Sequence, residues 1–425
     1  MRRIGREVAG VAVVLFVAAT AAKFAELLRT FILHSINFLY NGDNAIDGVA
    51  HTRTITVVVY IAFAVLAARF LNKAAQKWRP GKLGLEVIGD SARGEGPGSS
   101  FEGTLVRSAA TTIACAAGTS LGRESAILET SGAFGAFVGR RMWGYGPSIA
   151  AAGIAAAFCA AYHSPFGAVL YVGEHLKIFS RRRAMVYAVI ASAFSHYVTV
   201  THLEGKPIFY TMSGKWTFGG IAIAGLVATL PAFIGARTFL RMREMLPKWS
   251  LVTDHPQISL ALCVAVSAFA VSMFPETAGN GMEAIRLVAT PGGVSIAVAM
   301  ALAIGRIVAT TATVTAKAPG GVFAPTLAVT AGWGLAALLI IEKLGLQLGS
   351  TPQEIMVVSM TIGVAVGLHA PWLAAVVIAE MSGHIGLLPI CALFSFIGHR
   401  MVHVLDHIEQ TRNLELPEAM HDEDA

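Results

Sequence analysis

Two glycine-rich breaks carry the polar chemistry of an otherwise apolar chain: "LGRESAIL" at 121–128 and "APGGVFAPTLAV" at 318–329. In the second, Pro319 ends whatever precedes it, and Gly320 and Gly321 permit positive φ and close backbone approach. An apolar helix is expected from about Phe323, with Pro325 in its first turn, where a missing N–H is no loss. The first break is built the same way, with Gly122 at the turn and a helix from about Ser125. First-turn amides have no acceptor within their own helix, and a helix N-terminus carries about half a positive charge. The backbone N–H groups of Gly122, Arg123 and Ser125, and of Gly321, Val322, Phe323 and Ala324, are therefore candidate anion donors. Two such ends facing one another would replace much of an anion's hydration, tightly enough to admit it and loosely enough to release it. A plain turn between helices explains either break alone; the recurrence favours the site. Glu124 stands among these amides. Ionised, it occupies the place an anion would take; protonated, it can swing away, so one side chain can link anion passage to protons. An Arg123–Glu124 salt bridge is the other reading, but sequence neighbours on a helix do not face each other.

The breaks recur because the chain repeats itself. "HSPFGAVLYVGE" (163–174) and "HAPWLAAVVIAE" (369–380) share His, Pro and Glu at an offset of 206 residues. The two Gly-rich breaks are offset by about 199, and "GKLGLE" (81–86) and "GNGMEA" (279–284) by about 198. One arginine precedes each break, Arg107 and Arg306. Matching broken segments in two halves imply a repeat transporter with its site where the halves meet, near the membrane midplane. The halves are expected at 1–210 and 211–405, followed by a polar tail at 406–425 and no soluble regulatory domain.

Composition agrees. Of 425 residues, 55% are hydrophobic and 14% charged, against about 25% charged in soluble domains. A multi-pass protein of the cell membrane is expected, the inner membrane if the source is bacterial, with the lipid bilayer as its partner. The net charge of +6 lies largely in connectors such as 69–82 and 177–184, the pattern of cytoplasmic loops, and calls for no nucleic acid. Segments 54–71, 217–238, 258–274 and 293–314 are long enough to span. Those at 104–121, 125–139, 147–161, 164–173, 323–341, 355–368 and 371–381 read as short, and short spans are tolerated where they line a cavity. The N-terminal run fits a signal peptide, but its apolar character resumes at once, which favours a retained first helix. Cys115, Cys159, Cys263 and Cys391 have no CxxC spacing and read as core residues.

"GRES" resembles the G-R/K-E-G-P segment of the CLC family of chloride channels and proton-coupled chloride transporters, and "GGVFAP" its G-x-F-x-P segment. The two Pro-to-Glu segments resemble the family helices that open on an Ala-Pro-type turn. The likeness covers about residues 10 to 405 and is best to the divergent bacterial ClcB-type branch. It implies an all-α polytopic fold of two inverted-topology repeats with broken and re-entrant helices, and a homodimer with one pore per subunit. It implies transport of chloride or another small monovalent anion, with proton counter-transport or passive conduction as the two family modes, and no cofactor. Glu124 falls at the gating glutamate, and Val322 and Phe323 at the amides that hold the central anion.

The departures are specific. No serine stands in the "GKLGLE" counterpart of the family's G-S-G-I-P, where Lys82 lies instead; Ser99 and Ser100 fit its register poorly. The last segment lacks the tyrosine that relatives bring to the anion, and Ser125 and Ala126 replace Gly and Pro after the gate. Where coupled members show two consecutive acids, this chain has Glu174-His175, an internal proton relay or an interfacial pair, since histidine titrates near neutrality. Glu380 reads as a structural or interfacial acid. Arg107, Arg306 and Lys317 offer a positive field; the two arginines equally suit snorkelling to the interface. His399, His403 and His407 share a helix face but lack a fourth metal partner, so no metal site is expected. An intramembrane enzyme using Ser120 as nucleophile would need a histidine base that no spacing supplies, so an enzyme is not expected.

Overall fold

The computed structural model describes residues 2–78, 84–95, 98, 100–142, 144–202, 216–289 and 294–414. Lys82, Ser99, the expected repeat boundary near 210 and the tail from 415 lie outside them. The first half runs α1 (Arg2–Tyr40), α2 (Ala45–His51), α3 (Thr54–Trp78), α4 (Leu85–Arg93), α5 (Phe101–Ala116), α6 (Glu124–Arg140), α7 (Gly146–Tyr162), α8 (Pro165–Leu170) and α9 (Arg182–His202). The second runs α10 (Phe218–Met245), α11 (Ser250–Asp254), α12 (Pro256–Met273), α13 (Met282–Ala289), α14 (Ile296–Met300), α15 (Arg306–Thr315), α16 (Phe323–Lys343), α17 (Pro352–Leu368), α18 (Pro371–Met381) and α19 (Leu388–Leu414). Among the described residues, eight spans are long and apolar enough to cross a membrane.

The halves repeat one packing scheme. α6 packs on α7, and α7 on α1 and α9; likewise α16 packs on α17, and α17 on α10 and α19. α3 against α5 is matched by α12 against α15. The helices between the long spans are short as expected: α6, α7 and α17 have 17 residues each, and α18 has 11. α16 departs from that expectation, since it runs unbroken for 21 residues, a full span. α1 is one continuous helix of 39 residues, with no break near the small residues at 19–22. All four cysteines are buried and free.

The His-x-Pro motifs build identical corners. His163 and His369 close α7 and α17 in the left-handed region, at φ 53° and 52°. The next residues, Ser164 and Ala370, are extended, at φ −122° and −131°, as a residue before proline must be. Pro165 and Pro371 then open α8 and α18. Each new helix is capped by the glutamate of the other half. Glu380 Oε1 accepts from the Phe166 N–H (3.1 Å), and its Oε2 from the Gly167 N–H (2.9 Å) and the Ser164 hydroxyl. Glu174, in the π-turn that extends α8, accepts from the N–H groups of Trp372 (3.2 Å) and Leu373 (2.7 Å). A carboxylate on a helix N-terminus satisfies orphan donors and complements the dipole. The exchange is reciprocal, so α8 and α18 lie antiparallel, as inverted halves require.

Candidate functional site

The two breaks meet. Gly122 N–H donates to Gly321 O at 2.8 Å and Gly321 N–H to Gly122 O at 2.7 Å, a one-rung antiparallel bridge between the halves. Glycine is required on both sides. A Cβ on Gly122 would lie 2.5 Å from Glu124 Oε2 and 2.9 Å from Gly321 O; one on Gly321 would lie 3.2 Å from Gly122 O. This corrects one sequence expectation: the amides of Gly122 and Gly321 are not anion donors. Each spends its N–H on the other, because a buried amide left without an acceptor is costly.

The bridge aims the amides that follow it. Arg123 and Val322 are the N-caps of α6 and α16, and Ser125, Phe323 and Ala324 lie in their first turns. Among the described residues none of these five amides meets an acceptor beyond its own helix. Pro325, next on α16, has no N–H to lose, and Thr326 N–H makes the first regular bond, to Val322 O (2.9 Å).

Glu124 opens α6 and is 5% exposed. Its Oε1 accepts from Asn280 Nδ2 at 2.6 Å, while its Oε2 is buried and makes no hydrogen bond among the described residues. Arg123 forms no ion pair with it among the described residues; the local bridge that the sequence allowed is not made. Asn280 is itself oriented by the Met282 N–H, which donates to its Oδ1 (3.2 Å).

Two spaces flank this carboxylate. On one side a cavity of about 640 Å³ is lined by Asn72, Arg107, Glu129, Tyr162, Lys317 and Phe323, and reaches Arg243 and Pro247 at the end of α10. It lies towards the end of the fold where α3 and α10 finish in lysine and arginine. On the other, a small pocket is walled by Ile32, Ile36, Ala45, Arg123, Asn280 and Glu283, where α1 ends and α2 begins. The pocket thus lies at the end of α1, and the cavity beside the end of α10. Glu124 borders the cavity, and Asn280, which holds it, borders the pocket.

The arginines are not snorkelling. Arg306 is fully buried and donates to the carbonyls of Glu276 (2.7 Å), Ala278 (3.2 Å) and Gly279 (3.0 Å), and to the Ser120 hydroxyl (3.4 Å). It thus shapes the loop that presents Asn280. Arg107, its counterpart, pairs with Glu129 (2.9 Å) and donates to Asn72 Oδ1 (2.8 Å) on the cavity wall. Asn72 in turn donates to Lys317 O at 3.2 Å. Lys317 sits at φ 67°, where the first repeat has Gly118 at 76°, so its backbone forms the turn while its side chain faces the cavity.

The pair Glu174-His175 divides. The relay reading of Glu174 gives way, since its carboxylate is committed to the N-terminus of α18. His175 borders the cavity, with Nδ1 3.1 Å from Leu368 O. Ser120 shares a hydrogen bond with the Thr310 hydroxyl (2.9 Å) and has no histidine partner among the described residues. His399 and His403 share one hydrogen bond, at 3.1 Å between their Nε2 atoms.

Sequence reasoning missed Asn280, Glu129 and Tyr162. Tyr162 ends α7, 2% exposed, with its ring 4.8 Å from that of Phe323. Its hydroxyl makes no hydrogen bond among the described residues, and the buried Ser125 hydroxyl makes none either. Both side chains border the cavity beside the free amides of α16. Only "GNGMEA" pointed near Asn280, and it did so through its glycines.

The chain is similar over 326 residues to a voltage-gated ClC-type chloride channel ClcB from Citrobacter koseri, at 27% identity, covering 68% of this chain and 70% of that one. It is 26% identical over 288 residues to an H(+)/Cl(−) exchange transporter ClcA from Vibrio cholerae, covering 65% of this chain and 61% of the relative. In fold it matches a slow cyanobacterial Cl−/H+ antiporter, with a TM-score of 0.75 at 15% identity over 92% of this chain and 94% of that one. A CLC-type fluoride/proton antiporter matches at a TM-score of 0.67 and 15% identity, over 92% of this chain and 95% of that one. The model of the voltage gated chloride channel family matches residues 63–403, and the chain belongs to that family.

Proposed function

We propose that this protein carries chloride, or a related small monovalent anion, across a cell membrane, with Glu124 as the gate. The observation that carries the reading is the placing of that carboxylate. It lies between a large basic-walled cavity and a small pocket at the end of α1, beside five unpaired amides, held by one hydrogen bond. An anion arriving from the cavity meets Arg107 and Lys317, then the amides of Val322, Phe323 and Ala324, with the hydroxyls of Tyr162 and Ser125 facing the same space. These two hydroxyls supply what the family's serine and last-helix tyrosine supply elsewhere. Glu124 blocks the next step while charged and yields when protonated. Beyond it Arg123 borders the outer pocket, a field contribution and not a ligand. The positive-inside rule turns the cavity to the cytoplasm.

We further infer a homodimer, a family trait that the exposed Phe166 and Trp372 at the cross-capped corners suit. The function is tested by anion efflux from liposomes holding the purified protein. Wild type is expected to conduct faster as pH falls, and Glu124→Gln to conduct at a rate nearly independent of pH. Absence of efflux at any pH overturns the proposal, and an unchanged pH profile in Glu124→Gln removes Glu124 from the gate.

A further inference from the structure

The gate leaves one buried acid of the cavity unused. Glu129 lies on α6 five residues beyond Glu124, a rise of about 7.5 Å, and is likewise 4% exposed and on the cavity wall. Its Oε2 accepts from Arg107 Nε at 2.9 Å, while its Oε1 makes no hydrogen bond among the described residues. Lys317, after α15, and Arg243, on α10, stand on the same cavity wall. α5 supplies Arg107, and α3 supplies neutral Asn72 behind it. The π-turn after α8 supplies Tyr171 and, along the wall, His175. α4 places Glu86 on the cavity rim and keeps Asp90 and Arg93 paired with one another. α7 carries no charged residue and offers Tyr162. On α1, Glu7 pairs with Arg183 and Lys23 with Glu26, while Arg29 lies in the electrostatic neighbourhood of Arg123 and Arg286, beyond the gate. Among the described residues Glu129 therefore has one directly paired counter-charge, Arg107, and that counter-charge faces the space an anion must cross.

We propose that Glu129 is a second proton-binding site of this transport path, with Arg107 as the charge it uncovers. With Glu129 ionised, the pair is neutral and the inner cavity draws anions through Lys317 and Arg243 without Arg107. When a proton from cavity water binds the carboxylate, only an O–H bond forms, and Arg107 is left as an uncompensated cation for the incoming anion. Release of that proton restores the pair. Proton binding and anion binding are thus linked on the inner side of Glu124, through a residue that stands in neither half of the Glu174-His175 pair. The proposal rests on the anion-transport reading above and adds a titratable group to it.

The test imposes a chloride gradient on liposomes holding the full chain and records chloride and proton movement together. Wild type is expected to move both. Glu129→Gln mimics the protonated carboxyl and leaves Arg107 uncovered at every pH; its chloride efflux should equal or exceed that of wild type, while proton movement falls by about a hundredfold, the scale of removing a positioned acid–base group. Glu129→Asp should restore part of the proton movement, which a merely structural residue would not do. Gel filtration checks folding, and a second readout needs no transport. Chloride binding in detergent, measured in Glu124→Gln, should strengthen as pH falls and lose that dependence in Glu124→Gln/Glu129→Gln. Undiminished proton movement in Glu129→Gln overturns the proposal, as does loss of proton movement in His175→Ala alone. Wild type that moves chloride without protons overturns it too, while sparing the function; wild type that moves neither overturns both.

Discussion

Among the described residues Asn280 makes the only hydrogen bond that the Glu124 carboxylate receives from another side chain, and its removal has a calculable consequence. The bond is short, 2.6 Å, buried and directed at an ionisable acceptor. Bonds of that kind contribute about 1.5–3 kcal/mol. Asn280→Ala removes it from the closed gate and has no reason to weaken the open one. The closed state should therefore lose about 1.5–3 kcal/mol, which shifts the open-to-closed ratio about 10- to 150-fold. If the gate is mostly closed at neutral pH, chloride efflux from liposomes rises by up to that factor and then levels off at the rate of Glu124→Gln. The ceiling matters. In the double variant Asn280→Ala/Glu124→Gln, the asparagine change should add nothing, since its partner charge is gone and the two effects share one contact. The reasoning is refuted if Asn280→Ala conducts like wild type at neutral pH while Glu124→Gln conducts faster. It is equally refuted if the two changes add in full.

Two further outcomes concern the frame around the gate. Glu380→Ala strands three donors at a buried corner and should cost about 3–5 kcal/mol, whereas Glu174→Ala strands two beside the half-exposed Trp372 and should cost about 1–2 kcal/mol. Thermal unfolding in detergent ranks the two, and equal midpoints would contradict the cap assignment. Gly122→Ala drives a methyl to 2.5 Å from Glu124 Oε2 and should cost about 1–3 kcal/mol by overpacking, while Gly386→Ala, with nothing within 4 Å, should be nearly neutral in the same melt.

What the sequence disclosed was local or periodic. The Gly-rich breaks and the prolines at helix starts are rules of neighbouring residues, and they placed the starts of α6, α8, α16 and α18. Glu124 was legible because a charge at an apolar helix start is anomalous on its face. Asn280 was not, since its partner lies 156 residues away and nothing near it is unusual. Glu129 looked like one more polar residue of a helix until Arg107 from α5 was found against it. The error over Gly122 and Gly321 has the same origin. Spacing shows that two amides are free of their own helices, but only the meeting of the halves shows that they satisfy each other. Glu174 and Glu380 were visible as a matched pair, yet not as each other's exchange, because a repeat offset carries no information on which copy touches which.

The crossed caps also set a schedule for biogenesis. The donors at Ser164 and Phe166 are synthesised more than 200 residues before Glu380, their acceptor. At about 5–20 residues per second, the ribosome leaves that corner waiting for roughly 10–40 s. During this interval the Phe166 and Gly167 amides and the Ser164 hydroxyl lack the acceptor they have in the finished fold. Glu174 waits as well, with no helix yet to receive it. Neither half is a finished product, and quality control has a simple mark by which to recognise a chain that stops too early.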